Sequence, residues 1–386
     1  MDTILRAGFW VAAALVVYSY LVYPFFMTVV RRPLRSRSAR GVAGPPPSSL
    51  PTVEVVVAAY NEETHIRERI LNLLSQEYDA TRLSVAVGSD GSTDRTASEV
   101  RSIQDTRVRL LPFEQNRGKA SVLNDLVRGS RAEIIVFTDA NTTFEKGAVL
   151  RLIEQFQDES VGAVCGELLL ERQKPGTNRD HEYWSVERRL KFVESTMGGL
   201  LGANGGIYAI RRELYSPLPE DTICDDFVIG MNVASSGARL VYDPLAIARE
   251  ETPGDMAEEF QRRVRIGIGN YQAFFRHPEY LFDASPVRVF TYVSHKVLRW
   301  FTPHLLLVAL VASAMLADDP LFGAIFALQC MGYLILSIGY ASRGRIELPR
   351  LLSGIVFVGA LNAAFFVGFV RYVSGNYRGS WRRSER

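Results

Sequence analysis

Val53-Glu54-Val55-Val56-Val57-Ala58-Ala59, closed by Tyr60-Asn61-Glu62, is a short β-branched run that ends on a polar turn. Such a run predicts a strand buried on both faces. Reading outward, a helical pattern places Ile66, Ile70 and Leu74 on one face, and further runs follow at Leu83–Gly88 and Val108–Leu111. A helix over Lys119–Arg128, a strand over Glu133–Thr138, a helix near Gly147–Gln157 and a strand over Val161–Cys165 continue the series. Strand-helix alternation at this spacing predicts an α/β fold with a mostly parallel sheet. In such sheets ligands sit beyond the carboxyl ends of the strands, so the loops there are the places to look for chemistry.

The ends of the chain are of another kind. Phe9–Val30, Phe301–Ala317, Pro320–Ser342 and Leu351–Val370 carry no Asp, Glu, Lys or Arg, which is the signature of membrane segments. The 386 residues hold 44 basic and 42 acidic side chains, and a net charge of +2 argues against a broad basic face for nucleic acid. Cys165, Cys224 and Cys330 form neither a disulfide framework nor a zinc spacing. Five arginines (Arg31, Arg32, Arg35, Arg37, Arg40) follow the first apolar run, which by the positive-inside rule puts the soluble part in the cytoplasm and Met1 outside. Asp318 and Asp319 suit the outer face, and Arg343, Arg345 and Arg350 the inner one. A third full crossing would carry Arg371, Arg378, Arg382, Arg383 and Arg386 outward, against the same rule. The alternatives stay open: a re-entrant or interfacial last segment, an unseen crossing by Pro286–Trp300, or a basic outer tail.

Three strand ends carry acidic turns: Glu62 after the first, Ser89-Asp90-Gly91-Ser92 after the second and Asp139-Ala140-Asn141 after the fourth. Each alone suits a turn or a helix cap. Gathered at the ligand edge of one sheet, they point to a site.

These residues resemble the membrane glycosyltransferases of family 2, which include cellulose, hyaluronan and poly-N-acetylglucosamine synthases. Val57 to Glu62 is similar to the family's first nucleotide loop, which implies that Ala59, Tyr60 and Glu62 bind the nucleotide, and Ser89-Asp90-Gly91-Ser92 to the second, where the Asp meets uridine. Asn116-Arg117-Gly118-Lys119-Ala120, running on to Asn124, looks like the segment opening the next helix beside the nucleotide. Asp139-Ala140-Asn141 stands where the family has its metal-binding D-x-D. Gly202-Ala203-Asn204-Gly205-Gly206, followed by Arg211-Arg212, resembles the acceptor-side loop. Cys224-Asp225-Asp226 stands for Thr-Glu-Asp, whose last carboxylate is the general base, and Arg262-Arg263-Val264-Arg265-Ile266 for Gln-x-x-Arg-Trp.

The resemblance implies a GT-A domain with apolar helices at both ends: an anchor at 1–31, a basic linker at 32–51, the catalytic domain at 52–283, an interfacial helix at 284–300, membrane segments at 301–371 and a basic tail at 372–386. It implies an inverting transferase in the inner membrane that moves a sugar from a UDP-sugar to a saccharide or lipid-linked acceptor, with membrane lipids as neighbours. Mg or Mn would sit on Asp139 and Asn141. The chemistry suits these residue types. A metal and fixed cations (Lys119, Arg262, Arg265) neutralise a leaving diphosphate, and a carboxylate, Asp226 with Asp225 beside it, takes the acceptor proton. Asn204, Gly205 and Ile266 would meet the acceptor. Asn141 removes one charge from the metal shell, Asp225 shortens the reach of a Glu, and Ile266 lacks the flat ring of a stacking platform. Two other readings remain, a polyprenyl-phosphate sugar transferase and a catalytically dead membrane scaffold.

Overall fold

The computed structural model describes residues 1–29, 50–172, 179–252, 256–342 and 349–377. The linker arginines, Arg343, Arg345 and the last basic residues lie outside these, as do the side chains of Arg350, Tyr183 and Trp184.

In chain order the elements are α1 (Asp2–Val17), β1 (Val53–Ala59), α2 (Ile66–Leu74), β2 (Leu83–Asp90), α3 (Thr96–Arg101), β3 (Val108–Phe113) and α4 (Lys119–Arg128). There follow β4 (Ile134–Thr138), β5 (Thr142–Phe144), α5 (Ala148–Glu154), β6 (Val161–Arg172), α6 (Arg179–Met197), β7 (Tyr208–Arg211), α7 (Asp225–Ser235), β8 (Arg239–Thr252) and α8 (Met256–Arg276). The chain then enters α9 (Pro286–Thr291), α10 (Leu298–Met315), α11 (Pro320–Ala341) and α12 (Arg350–Val373).

The strands form one sheet in the order β3-β2-β1-β4-β7-β6-β8-β5. β1 pairs in parallel with both β2 and β4, as expected for a strand buried along its whole length. Its side chains alternate between two cores: Val55, Val57 and Ala59 pack with Ile66, Ile70 and Leu73 of α2, while Val56 and Ala58 pack with Val122, Leu123 and Leu126 of α4. Helices on both faces explain why β1 has no polar alternation. β7 turns the other way, pairing antiparallel to β4 with Tyr208 opposite Phe137. That reversal brings the loop before β7 over the carboxyl end of β4.

Among the described residues four helices are long and apolar enough to cross a membrane: Asp2–Val29, Pro286–Met315, Pro320–Ala341 and Leu352–Val373. Pro286–Met315 is one rod with a π-turn at Tyr292–Val297, so helix runs unbroken through Trp300, where the sequence suggests a boundary. Arg6 pairs with Asp319 at 2.7 Å, bringing the start of the chain to the α10–α11 turn. α12 packs closely across α8: a Cβ on Gly368 would lie 3.0 Å from the backbone of Val264 and Ile268.

Candidate active site

The loops after β1 and β2 are laced together. Asn61, at φ 54°, accepts from Thr93 N through Oδ1 at 2.8 Å, and Glu62 N donates to Thr96 Oγ1 at 2.7 Å. Tyr60 is half-buried at this edge, Ala59 is enclosed, and the Glu62 carboxylate lies 3.1 Å from His65 Nδ1. Asp90 is fully buried: its two oxygens accept from Arg117 N (2.8 Å) and Gly118 N (2.9 Å). In this structure Asp90 fixes the loop that opens α4. Gly91 is required there, since at φ +66° a Cβ would meet Asn116 N at 2.5 Å.

With Gly118 as its N-cap, α4 begins at Lys119 and aims that side chain across the sheet edge. Lys119 Nζ bonds Asp139 Oδ1 at 2.9 Å and pairs with Asp225 Oδ2 at 3.2 Å. Burial works against its charge, but Asp139, Asp225 and Asp226 together hold the ammonium well above its ordinary value. Asp225 and Asp226 occupy the first turn of α7, where the helix dipole favours negative charge. Burial and the Asp225 carboxylate push Asp226 up to about 6, while Lys119 and the Phe227 N–H pull the other way.

Gly205 closes the arrangement. A Cβ there would lie 3.4 Å from Asp226 Oδ2 and 3.7 Å from Asp139 Oδ2, so its missing side chain leaves a niche between two carboxylates. The loop is held by Thr138 Oγ1 donating to Gly206 O at 2.7 Å and by Asn204 Nδ2 donating to Gly166 O at 2.9 Å. Asn204 Oδ1 accepts from Lys191. Asn141 donates Nδ2 to Glu250 Oε1 at 3.1 Å, leaving its carbonyl end unused by that bond. Among the described residues no three His, Cys, Asp or Glu side chains are grouped to hold a metal by themselves.

α8 covers the other side. Ile223 N donates to Gln272 Oε1 at 3.1 Å, and Arg276 grips Asp221 with two bonds of 2.9 and 2.7 Å. A Cβ on Gly269 would strike Cys224 Sγ at 2.4 Å, which shows how tightly α8 lies on the turn before Asp225. Arg262 is braced by Glu259 at 2.7 Å, Arg265 is exposed, and Ile266 is half-buried. The charges of Arg265 and Lys296 both bear on the Cys224 thiol, which burial and the neighbouring Asp226 and Asp225 push far up.

The structure thus gathers Lys119, Asp139, Asp225, Asp226 and Gly205 at one point, with Asn141 two residues beyond Asp139 and with Arg265 and Ile266 on the helix that packs against Cys224. Arg211 and Arg212 stand apart from it, donating to the carbonyls of Val161 (2.9 Å) and Ala132 (2.8 Å). Tyr271 is fully buried against Phe301 and Phe369, so it offers no exposed ring to a sugar. Arg69 escaped the sequence reading. It is buried beneath Asp139, donates to Thr138 Oγ1 and Asn72 Oδ1 at 2.6 Å each, and lies over the Phe144 ring at 4.2 Å. Burial pulls its guanidinium down to about 9, and Asp139 works against that pull. A charge on the stripe of Ile66, Ile70 and Leu73 was the available signal. Lys191 and Lys296 were also missed, each lying within a pattern that reads as packing or membrane helix.

A mostly parallel α/β sheet with acidic strand ends, joined to long apolar helices, is the architecture of a membrane-associated GT-A protein. Residues 54–218 match the family model described as Glycosyl transferase family 2, and the chain carries a domain of that family. It is similar to a poly-beta-1,6-N-acetyl-D-glucosamine synthase of Staphylococcus aureus, 24% identical over 263 residues covering 66% of this chain. It is also similar to an N-acetylglucosaminyltransferase of Azorhizobium caulinodans, 25% identical over 240 residues covering 58% of this chain. The matches span 62% and 60% of those relatives' lengths. Among solved structures, a mannosyltransferase of Pyrobaculum calidifontis in complex with GDP-Man and Mn2+ shares the fold, with a TM-score of 0.72 at 23% identity over 97% of this chain and 100% of that one.

Proposed function

We propose that the chain is a membrane-bound inverting glycosyltransferase that moves a sugar from a UDP-sugar to a hydroxyl of a saccharide acceptor. The observation that carries this reading is the convergence of Lys119, Asp139, Asp225 and Asp226 around the niche at Gly205. The names of the two relatives favour N-acetylglucosamine as the sugar and polysaccharide synthesis as the setting.

The donor set fits a divalent cation. Asp139 Oδ2 is a hard oxygen beside the niche, the Asn141 side-chain carbonyl two residues on is a second hard oxygen, and with no His, Cys, Asp or Glu triad among the described residues the remaining ligands would come from the diphosphate. When bound, Mg or Mn supplies neutralisation of the leaving diphosphate. Lys119 adds a fixed positive charge at the head of α4, and Arg265 a second from α8. Asp226, raised toward neutrality, takes the proton of the acceptor hydroxyl as the new C–O bond forms at the anomeric carbon and the bond to phosphate breaks. A single displacement inverts that carbon. Arg69 stands behind Asp139 as a positioning residue.

The arginines after the first apolar run favour a domain on the cytoplasmic side of an inner membrane. The Arg6–Asp319 pair supports a common outer side for the N-terminus and the α10–α11 turn. The test is to incubate the purified full chain with UDP- and GDP-sugars, with and without chelator, and to weigh the products. Transfer from a UDP-sugar that chelator silences supports the reading. Transfer only from GDP-sugars, or none from any donor, contradicts it.

A further inference from the structure

Residues 198–206 include Gly198, Gly199, Gly202, Gly205 and Gly206, and a loop so poor in side chains has little of its own to hold it still. Stillness matters here. The niche at Gly205 lies between Asp226 and Asp139, and a displacement of about 1 Å at a reacting centre is enough to cost a large part of the rate.

The side chain that anchors this loop is Asn204. Its backbone N donates to Cys165 Sγ at 3.2 Å and its Nδ2 to Gly166 O at 2.9 Å, both on β6, while its Oδ1 accepts from Lys191 of α6. Lys191 is half-buried and makes no ion pair among the described residues. Carboxylates are close along the same helix. Glu187 and Glu194 stand one turn to either side on the face that carries Lys191, but both are taken up by the rod Pro286–Met315: His295 lies 3.1 Å from Glu187 and 2.5 Å from Glu194, and Arg299 holds Glu187 at 2.5 Å. α6 is therefore clamped on both sides of Lys191. The ammonium has a fixed base, and its charge is directed at a neutral amide of the loop, which makes the bond to Asn204 a strong one.

We infer that Lys191 is a positioning residue for the transfer, which locks Asn204 and through it the glycine-rich loop, so that the acceptor hydroxyl meets Asp226. This rests on the glycosyltransferase reading and adds a residue to its site. Lys191 acts through Asn204 and not on the reacting atoms.

The purified full chain in nanodiscs is followed by hydrogen exchange and by transfer from UDP-N-acetylglucosamine to an N-acetylglucosamine disaccharide. Losing a hydrogen bond to a charged group should raise exchange over 198–206 about tenfold in Lys191→Met, while exchange in β1 and β4 stays as it was. The acceptor's kcat/KM should fall about tenfold or more, with donor KM unchanged. Lys191→Arg keeps a cation within reach of Oδ1 and should recover most of both. Because the effect passes through Asn204, adding Lys191→Met to Asn204→Ala should cost nothing further. Unchanged exchange over 198–206 in Lys191→Met, an acceptor kcat/KM that does not move, a Lys191→Arg no better than Lys191→Met, or losses that multiply in the double variant each overturn the inference. Should Lys191→Met fail to fold, Asn204→Ala removes the same bond from the other side, and unchanged exchange in that variant overturns the inference too. No transfer by the unaltered chain from any nucleotide sugar contradicts the enzymatic reading instead, and the exchange comparison still decides whether Lys191 holds the loop.

Discussion

Asp226 gains from the dipole at the head of α7 but loses more from burial and from Asp225, and titrates near 6, above an ordinary carboxylate. A base must be unprotonated to act, so turnover should fall as the pH drops through about 6, with full activity above it. Asp225→Asn removes a like charge and should move this acid limb to lower pH; Lys119→Met removes the attractive charge and should move it higher. A pH profile of kcat checks both, and an unmoved limb in both variants would remove Asp226 from the role. Most of these residues were legible because each follows a recognisable strand or opens a helix. Asp90 was legible as a loop residue, but its backbone bonds to Arg117 and Gly118 were not, since they depend on how two distant loops meet. Arg69 was hidden because residues on a helix's buried stripe are expected to be apolar, and only the fold shows Thr138, Asn72 and Phe144 gathered around its guanidinium.

At the scale of elements, α8 and the turn before α7 act as one piece. Gly269 is where they touch, and Gly269→Ala forces α8 away from Cys224, at a cost of about 1–3 kcal/mol from overpacking. Activity should fall at least tenfold through displacement of the Asp225–Asp226 turn. Cys224→Ala in the same chain removes the clashing sulfur, though Ile223 and Cys224 N stay 3.0 and 3.1 Å from the added Cβ, so it should restore part of the loss, which thermal unfolding and turnover of the double variant would show. β1, β2, β4 and α4 were readable within a few residues because each is a local pattern: continuous β-branched runs, or a 3.6-residue period opened by glycine. β5, β7 and β8 were not. β7 has only four residues, and β8 mixes Asp243, Pro244 and several charges, so both depend on partners far away in the chain: β4 and β6 for β7, β6 and β5 for β8. The antiparallel turn of β7 that carries Gly205 to Asp139 was therefore invisible in sequence.

Over the whole molecule, the α/β domain and the apolar helices are joined by a buried network. Tyr23 OH donates to Glu194 at 2.8 Å, His295 lies 2.5 Å from Glu194 and 3.1 Å from Glu187, and Arg299 holds Glu187 at 2.5 Å. Against the penalty of burial, Arg299 and His295 hold Glu187 well below its ordinary value, and His295 and Tyr23 hold Glu194 down. The contribution is complete above the ordinary value of 4.5 and fades as the pH falls through the lower folded values. Glu194→Ala leaves His295 and Tyr23 without their shared partner and should cost about 3–5 kcal/mol, read as a lowered unfolding midpoint at pH 7. The long apolar helices were plain in the sequence from their missing charges, apart from the first half of Pro286–Met315 with its Arg288, Lys296 and Arg299, whereas this network was not, because its members come from three separate segments. The proposed transfer depends on Asp226 serving as the base of a single, inverting displacement. The most direct measurement follows transfer from an α-linked UDP-sugar by the unaltered chain and by Asp226→Asn, with donor affinity and product anomer determined for each. A β-linked product is expected from the unaltered chain, and in the variant an unchanged donor affinity with turnover down about 10²–10⁴-fold; an α-linked product, or near-normal turnover by Asp226→Asn, would remove Asp226 from that role.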